Sequence, residues 1–397
     1  MFSPSNPPKC VSDTTLHGVN TMEGDKQTPA RLAKHVRCSP CESRESPPSP
    51  ERWNIGIRGS KRKNTITEKS ITPPVGIERD TDENLDWKEV LDASDFAIEK
   101  LAKDLRNTGM EMGPEQARFF VENYYRLQED RIRYKAQVRE LTKQDQPNEL
   151  LDYFGKSFSD LEKMLQSVLD VYSKSNPVGR WMRSVTGVGP VIAAGFMAHL
   201  SLEPDNAEPI QYVGQWWSFA GLNPGVEWEK GQKRPWNTKL KTLCYKLGES
   251  FVKVQNNKND FYGKLFAEQK RRYWEKNLNG EYSDAALKNV IQKNIGKSTA
   301  AYAWYSGQVD PAWARERLKV GKFPTDAKGF PKTDAGTPML PPAHIHARAR
   351  RWVAKLFLSH LFEVWYVTEK GHKPPEPFVL TMENHNRKIE VPFKDDF

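Results

Sequence analysis

The chain has 397 residues, enough for two or three domains, and its 37% apolar content and 25 glycines fall slightly below the globular norm, so part of the chain is expected to lie outside any core. Its 60 Lys and Arg outweigh 51 Asp and Glu for a net charge of +9, which favours a polyanionic partner through counterion release without choosing among DNA, RNA and anionic lipid. No apolar run approaches the ~18 residues of a membrane span, no signal-peptide core opens the chain, and four cysteines make no secreted disulfide framework; a cytoplasmic protein without disulfides is expected.

Residues 1–85 are crowded with Ser, Pro and charged side chains and show no periodicity, which predicts a disordered arm. His35, Cys38 and Cys41 are spaced like half of a zinc site that Cys10 would complete, but a second clean ligand pair is missing and an incidental CxxC accounts for the same residues. Asn54–Lys61 alternates like a short strand, with no sheet pattern after it. From Asp86 the pattern turns helical, and the fold class is mainly α, with a long-helix region over 86–175. Pro114 suits a first helical position; Phe120, Tyr124, Leu127, Tyr134, Val138 and Leu141 follow at helical steps. A second helix over 148–172 aligns Leu151, Phe154, Phe158, Leu161, Leu165, Val168 and Tyr172. The two helices either pair antiparallel or leave the second to form a homodimer seam, and the spacing keeps both open.

Residues 176–300 carry the functional signal. Arg180–Leu200 has the pattern of a helix-hairpin-helix core: a short helix, a Gly-Val-Gly-Pro turn and an Ala-rich helix. Gly187 and Gly189 permit backbone geometry closed to other residues, Pro190 suits the first turn of the next helix, and Ala193 and Ala194 permit close helix approach. The backbone N–H groups of Gly187, Val188 and Gly189 would then bind phosphate without reading bases, although the same turn can serve as a tight interhelical connection. Gln215–Gly248 adds Trp216, Trp217 and Phe219, a second turn at Gly221, the loop cations Lys230, Lys233 and Arg234, and a helix bearing Lys239, Lys241 and Lys246. These lysines and the loop cations are expected to form one phosphate-facing surface beside the hairpin. Trp216 and Trp217 are expected in the core; Trp228 and Trp236 either pack or stack on bases of an opened strand.

The run Val185–Gly195, followed by Phe219–Pro224 and the basic helix after Trp236-Asn237, resembles the C-terminal domain of the Piv-type insertion-sequence transposases, now called bridge recombinases. The likeness covers residues 150–255. It implies DNA binding in transposition or recombination. In that family an N-terminal RuvC-like domain with four acidic metal ligands precedes a long helix and this helical domain, which supplies a catalytic serine. Two departures bear on mechanism. Where the family's first strand reads Ile-Gly-Ile-Asp, this chain has Ile55-Gly56-Ile57-Arg58, and a cation cannot hold Mg2+. After the Gly-Leu-x-Pro turn the chain reads Gly225-Val226-Glu227-Trp228-Glu229-Lys230-Gly231, without the serine. Ser218 and Ser250 lack an evident partner base. No catalytic residue is named, and Mg2+ enters only if Glu227, Glu229 and Glu249 form a nuclease site rather than ion pairs. The alternatives to a DNA-binding transposase-like protein are therefore an active metal-dependent or serine recombinase with an unrecognised site, and a non-enzymatic module for structured RNA.

Tyr262–Lys276 reads as a further basic amphipathic helix carrying Lys270, Arg271 and Arg272, whose charges equally suit a solvated face. Residues 301–342, rich in Gly, Pro and Asp, are expected to form a loop-rich connector. Region 343–397 opens on the basic helix His344–Tyr366, with Arg348, Arg350 and Arg351 at its front and apolar residues behind. His344 and His346 point to different sides of a helix and His360 is several turns away, so no metal site is assigned. If the two histidines preceded the helix, they would lie beside the arginines at a phosphate.

Overall fold

Proline or a side-chain cap opens most of the helices. In the computed structural model, residues 98, 100–205, 208–223, 225–226, 228–333, 336–376 and 388–393 are described. The disordered-arm expectation, the zinc half-site, the Asn54–Lys61 strand and Glu227 lie outside them. The described chain is mainly α. Twelve helices run as α1 Lys103–Asn107, α2 Pro114–Lys143, α3 Glu149–Lys174, α4 Pro177–Ser184, α5 Pro190–His199, α6 Val213–Phe219, α7 Thr238–Val254, α8 Tyr262–Leu278, α9 Ser283–Gln292, α10 Ala300–Tyr305, α11 Pro311–Val320 and α12 Pro342–Lys370. Proline stands first in α2, α4, α5, α11 and α12, where its missing N–H leaves no unmet donor. Among the described residues no helix is long and apolar enough to cross a membrane.

The two long helices α2 and α3 form an antiparallel pair, the intramolecular option. Tyr134 meets Phe154 and Phe158 at ring-centroid distances of 6.0 and 5.2 Å. Among the described residues, other elements bury the pair only at its base. There Ala117, Val121 and Tyr124 of α2 and Leu169 and Tyr172 of α3 are buried, and the Arg118 Nε donates to the Ala198 carbonyl at the end of α5 (2.7 Å). Farther out the aligned Leu151, Phe158 and Leu161 are only partly buried, and Phe154 is 40% exposed.

One charged group lies inside this pair. Glu162 is buried and takes Arg131 Nε at 2.5 Å and Gln128 Nε2 at 3.2 Å. Burial alone would raise its pKa, but hydrogen bonds from Arg131, Gln128 and Tyr124, with the guanidinium charge, hold it below the ordinary glutamate value. A folded pKa lowered in this way contributes stability that is complete above the unfolded glutamate range and is lost as pH falls through the folded value. Urea midpoints at pH 7 and pH 3 are therefore expected to differ more for the wild type than for Glu162→Gln; equal differences would show that Glu162 does not contribute to acid sensitivity.

The main core gathers α4, α5, α6, α7 and most of α12 against the base of the long pair. The segment expected as a loop-rich connector, 301–342, holds the short helices α10 and α11 and contributes to a second core. Trp274 and Leu278 of α8, Ala303, Trp304 and Tyr305 of α10, Ala314 of α11, Phe330 and Ile345 of α12 pack together. Gly and Pro there separate α10 and α11 and open the irregular stretches 321–333 and 336–341, which Trp304, Trp313, Phe323 and Phe330 hold together with their apolar surface. Buried Asn277 clamps the returning chain: its Nδ2 donates to the Leu340 carbonyl (3.0 Å) and its Oδ1 accepts the Leu340 N–H (2.8 Å).

Candidate nucleic-acid interface

The Gly-rich turn is held from behind. Gly187 adopts φ +96°, a left-handed conformation that its lack of a side chain permits. A Cβ there would also press to 3.1 Å from both Phe251 and Val254 of α7. The Ser250 hydroxyl donates to the Gly187 carbonyl (2.6 Å), and Thr186 Oγ1 donates to the Asn259 carbonyl (3.2 Å). Arg183, paired with Asp170 at 2.9 Å, donates Nη1 to the Val188 carbonyl at 2.7 Å. Val185 and Val188 are buried. The turn is thus a fixed piece of backbone.

Its outward side is different. Gly189 has ordinary extended geometry and nothing within 4 Å of where a Cβ would stand. The first backbone hydrogen bond of α5 runs from Ala193 N to the Gly189 carbonyl (3.0 Å). The Val191 and Ile192 amides precede it, so they and the Gly189 amide belong to the unsatisfied first turn that suits an anion.

The cations expected beside this turn do not form one surface. Lys239 pairs with Glu122 of α2 at 3.0 Å, and Lys246 lies 3.9 Å over the Tyr125 ring, also on α2. Lys241 faces the opposite side, 3.8 Å over Trp236 and near the Arg351 and Arg234 charges. Burial first, and then those two cations, lower its pKa. Arg234 in turn lies 5.1 Å over Trp228, and the Trp228 and Trp236 rings are 6.4 Å apart. The result is a ladder of cations and indoles at the front of α7, with exposed Lys230 and Lys233 in the adjoining loop. The turn meets α7 around Ser250, about nine residues or ~14 Å along the helix from Lys241.

Other expected cations pair or stack with side chains of their own. Arg271 and Arg272 pair within α8 with Glu275 and Glu268. Arg350 pairs with Glu249 and covers the Tyr245 ring at 3.8 Å, where Gly248 lets α12 approach α7. Arg348 is 4.5 Å from the Tyr282 ring centroid. Exposed Lys253, one turn beyond Ser250, and exposed Lys258, beside the Asn259 that anchors Thr186, were not among the expected residues. Their signal was present, since Lys253 ends the basic helix and Lys258 follows it, but only the folded turn gives it meaning.

The catalytic candidates are occupied structurally. Ser218 accepts from Asn223 Nδ2 (3.1 Å), Ser250 holds the turn, and Glu249 is bound to Arg350. Exposed Glu229 accepts from Gln232. Burial pushes the Cys244 thiol up to about 12. His344 and His346 stand in the first turn of α12 and diverge, the first to the Tyr305 hydroxyl (3.0 Å) and the second onto the Phe266 ring. His344 is brought down to about 4, chiefly by burial and then by Arg351, Lys293 and Arg348. His360 Nε2 donates to the Ile389 carbonyl (2.9 Å), while its Nδ1 meets the Tyr262 hydroxyl. Trp216 is buried against Phe362 and Trp365, and Trp217 is half-buried. Among the described residues, no group of three or more His, Cys, Asp or Glu could hold a metal ion.

No protein-family model matches the chain, and neither a curated protein nor a solved structure shows significant similarity to it.

Proposed function

We propose that the protein binds DNA through the sugar-phosphate backbone, as a transposase-like protein acting in transposition or recombination. The reading rests chiefly on the turn at 185–189, which Ser250, Thr186 and Arg183 immobilise and which leads into the first turn of α5, where the Gly189, Val191 and Ile192 amides have no partner within the helix. A preformed set of amides loses little entropy when it takes a phosphate. Lys253 and Lys258 add charge nearby, and the Trp228–Trp236 ladder offers a second contact region. The resemblance of Val185–Gly195 to the Piv-type transposases supplies the process. Catalysis, where the process needs it, falls to a partner, because Ser218, Ser250 and Glu249 serve the fold.

Gly189 is the clean probe, since space around it is open whereas Gly187 cannot be changed without strain. Gly189→Glu puts a carboxylate where the phosphate would sit. In the full chain it is expected to weaken duplex binding about tenfold or more, roughly 1.4 kcal/mol, with unchanged helicity. Wild-type affinity is expected to fall steeply between 50 and 200 mM salt. Equal binding by the variant and wild type would remove the turn from the interface. A strong preference for folded RNA over duplex DNA would replace the DNA assignment by the RNA one.

A further inference from the structure

Residues of α8 and α12, with Val213 and Trp217 of α6 and the stretches 373–376 and 388–390, line a groove of about 1610 Å3. That is larger than the ~300–1,000 Å3 usual for a small-molecule pocket, and it suits a stretch of polymer. One face of α12 lines it with Arg348, Trp352, Lys355 and Ser359, successive at steps of four, three and four, so a cation, an indole, a second cation and a hydroxyl follow one another along the wall.

The two cations are held on aromatic faces and not by acids. Arg348 lies 5.2 and 4.5 Å from the Tyr273 and Tyr282 ring centroids. Lys355 Nζ lies 4.1 Å over Trp217, whose Nε1 donates to the Lys355 carbonyl at 3.3 Å. Among the described residues, neither cation has a carboxylate within ion-pair distance. Glu268 and Glu363, on the same walls, are engaged by Arg272 and Lys388, while Glu376 and Glu390 also border the groove. Half-buried Trp352 sits between the two cations with no ring or cation stacked on it among the described residues. Burial also lowers the Lys355 pKa, in keeping with the missing counterion.

We infer that this groove is a site for single-stranded nucleic acid, with a base stacked on Trp352 and flanking phosphates taken by Arg348 and Lys355. The seven-residue step from Arg348 to Lys355 spans about 10 Å of helix, a distance that long cationic side chains adjust to phosphates on either side of one base. Stacking on an aromatic face between backbone-binding cations is the chemistry by which unpaired strands are bound with little regard to sequence. The site is separate from the turn at 185–189 and does not depend on duplex binding there.

The test uses the full chain, a fluorescein-labelled oligothymidylate of about 12 nucleotides and an equally long abasic strand, which keeps the phosphates and removes the bases. Wild type is expected to prefer the thymidylate. Trp352→Leu should lose about tenfold in affinity for it and bind both strands alike, with helicity and duplex binding unchanged, while Trp352→Tyr keeps most of the preference. Lys355→Gln should weaken both strands several-fold, an independent readout if Trp352→Leu does not fold. The proposal is overturned if folded Trp352→Leu keeps the wild-type preference, if Lys355→Gln binds both strands as wild type does, or if wild type does not distinguish the strands. Failure of the duplex reading would show instead in Gly189→Glu, so the two fail separately.

Discussion

Gly179→Ala is expected to lower the unfolding free energy by about 3 kcal/mol or more, near the upper range for overpacking. Gly179 is buried in the first turn of α4, where the Asn176 side chain caps its amide at 2.8 Å. An alanine Cβ would overlap the Ser173 carbonyl oxygen at the end of α3 and approach Met197 Sδ of α5 to 2.7 Å. The thioether can turn aside. The carbonyl cannot, because it belongs to the backbone of a helix whose end is buried with Ser173. Helices α3, α4 and α5 meet at this point, so the displacement would be passed directly to the turn between α4 and α5. Urea denaturation of the full chain measures the effect, and a midpoint within error of wild type would mean that the α3–α4 junction relaxes without cost.

Phe357→Ala carries the second large effect, a loss of about 3–5 kcal/mol. Phe357, on α12, is 0% exposed. Its ring centroid lies 5.6 Å from Trp181 of α4, 5.7 Å from Phe196 of α5, 5.8 Å from Phe251 of α7 and 5.4 Å from Tyr262 of α8. A cavity here would separate both helices that flank the turn from the α7 segment that fixes it through Ser250. Phe357→Leu, which keeps most of the volume, should cost less than half as much. Thermal unfolding of the two variants distinguishes them; equal small losses would place the support of the turn at 185–189 elsewhere, most directly in the α2 wall that Arg118 ties to Ala198.

The same contacts explain which parts of the molecule could be read in advance. The long pair was legible because apolar residues at helical steps, Pro114 and the polar stretch before Glu149 lie close together in the chain. The helix expected over 148–172 forms as Glu149–Lys174, and the one expected over 344–366 forms as Pro342–Lys370. Gly187 was legible for the same reason: a left-handed residue between Val185 and Val188 is a local demand, and glycine meets it at the least cost. The 301–342 segment was not. Its glycines and prolines announce turns truthfully, but its Trp304 finds Trp274, on α8, only when the chain has folded back, and that contact gives the loop-rich segment a core.

The candidate interface divides along the same line. By itself the sequence determined a mainly helical chain, its capped helix starts, the left-handed turn at Gly187 and an excess of positive charge, since each depends on neighbouring residues or on composition. Only the tertiary structure decided which cations remain available. Lys239 is taken by Glu122 and Arg350 by Glu249, partners more than a hundred residues away in each case. Lys241 and Lys246, a few residues apart on α7, face Trp236 and Tyr125 on opposite sides. A side chain's charge is written at its own position, whereas its counterion, its covering ring and its exposure are supplied by whatever the fold brings beside it.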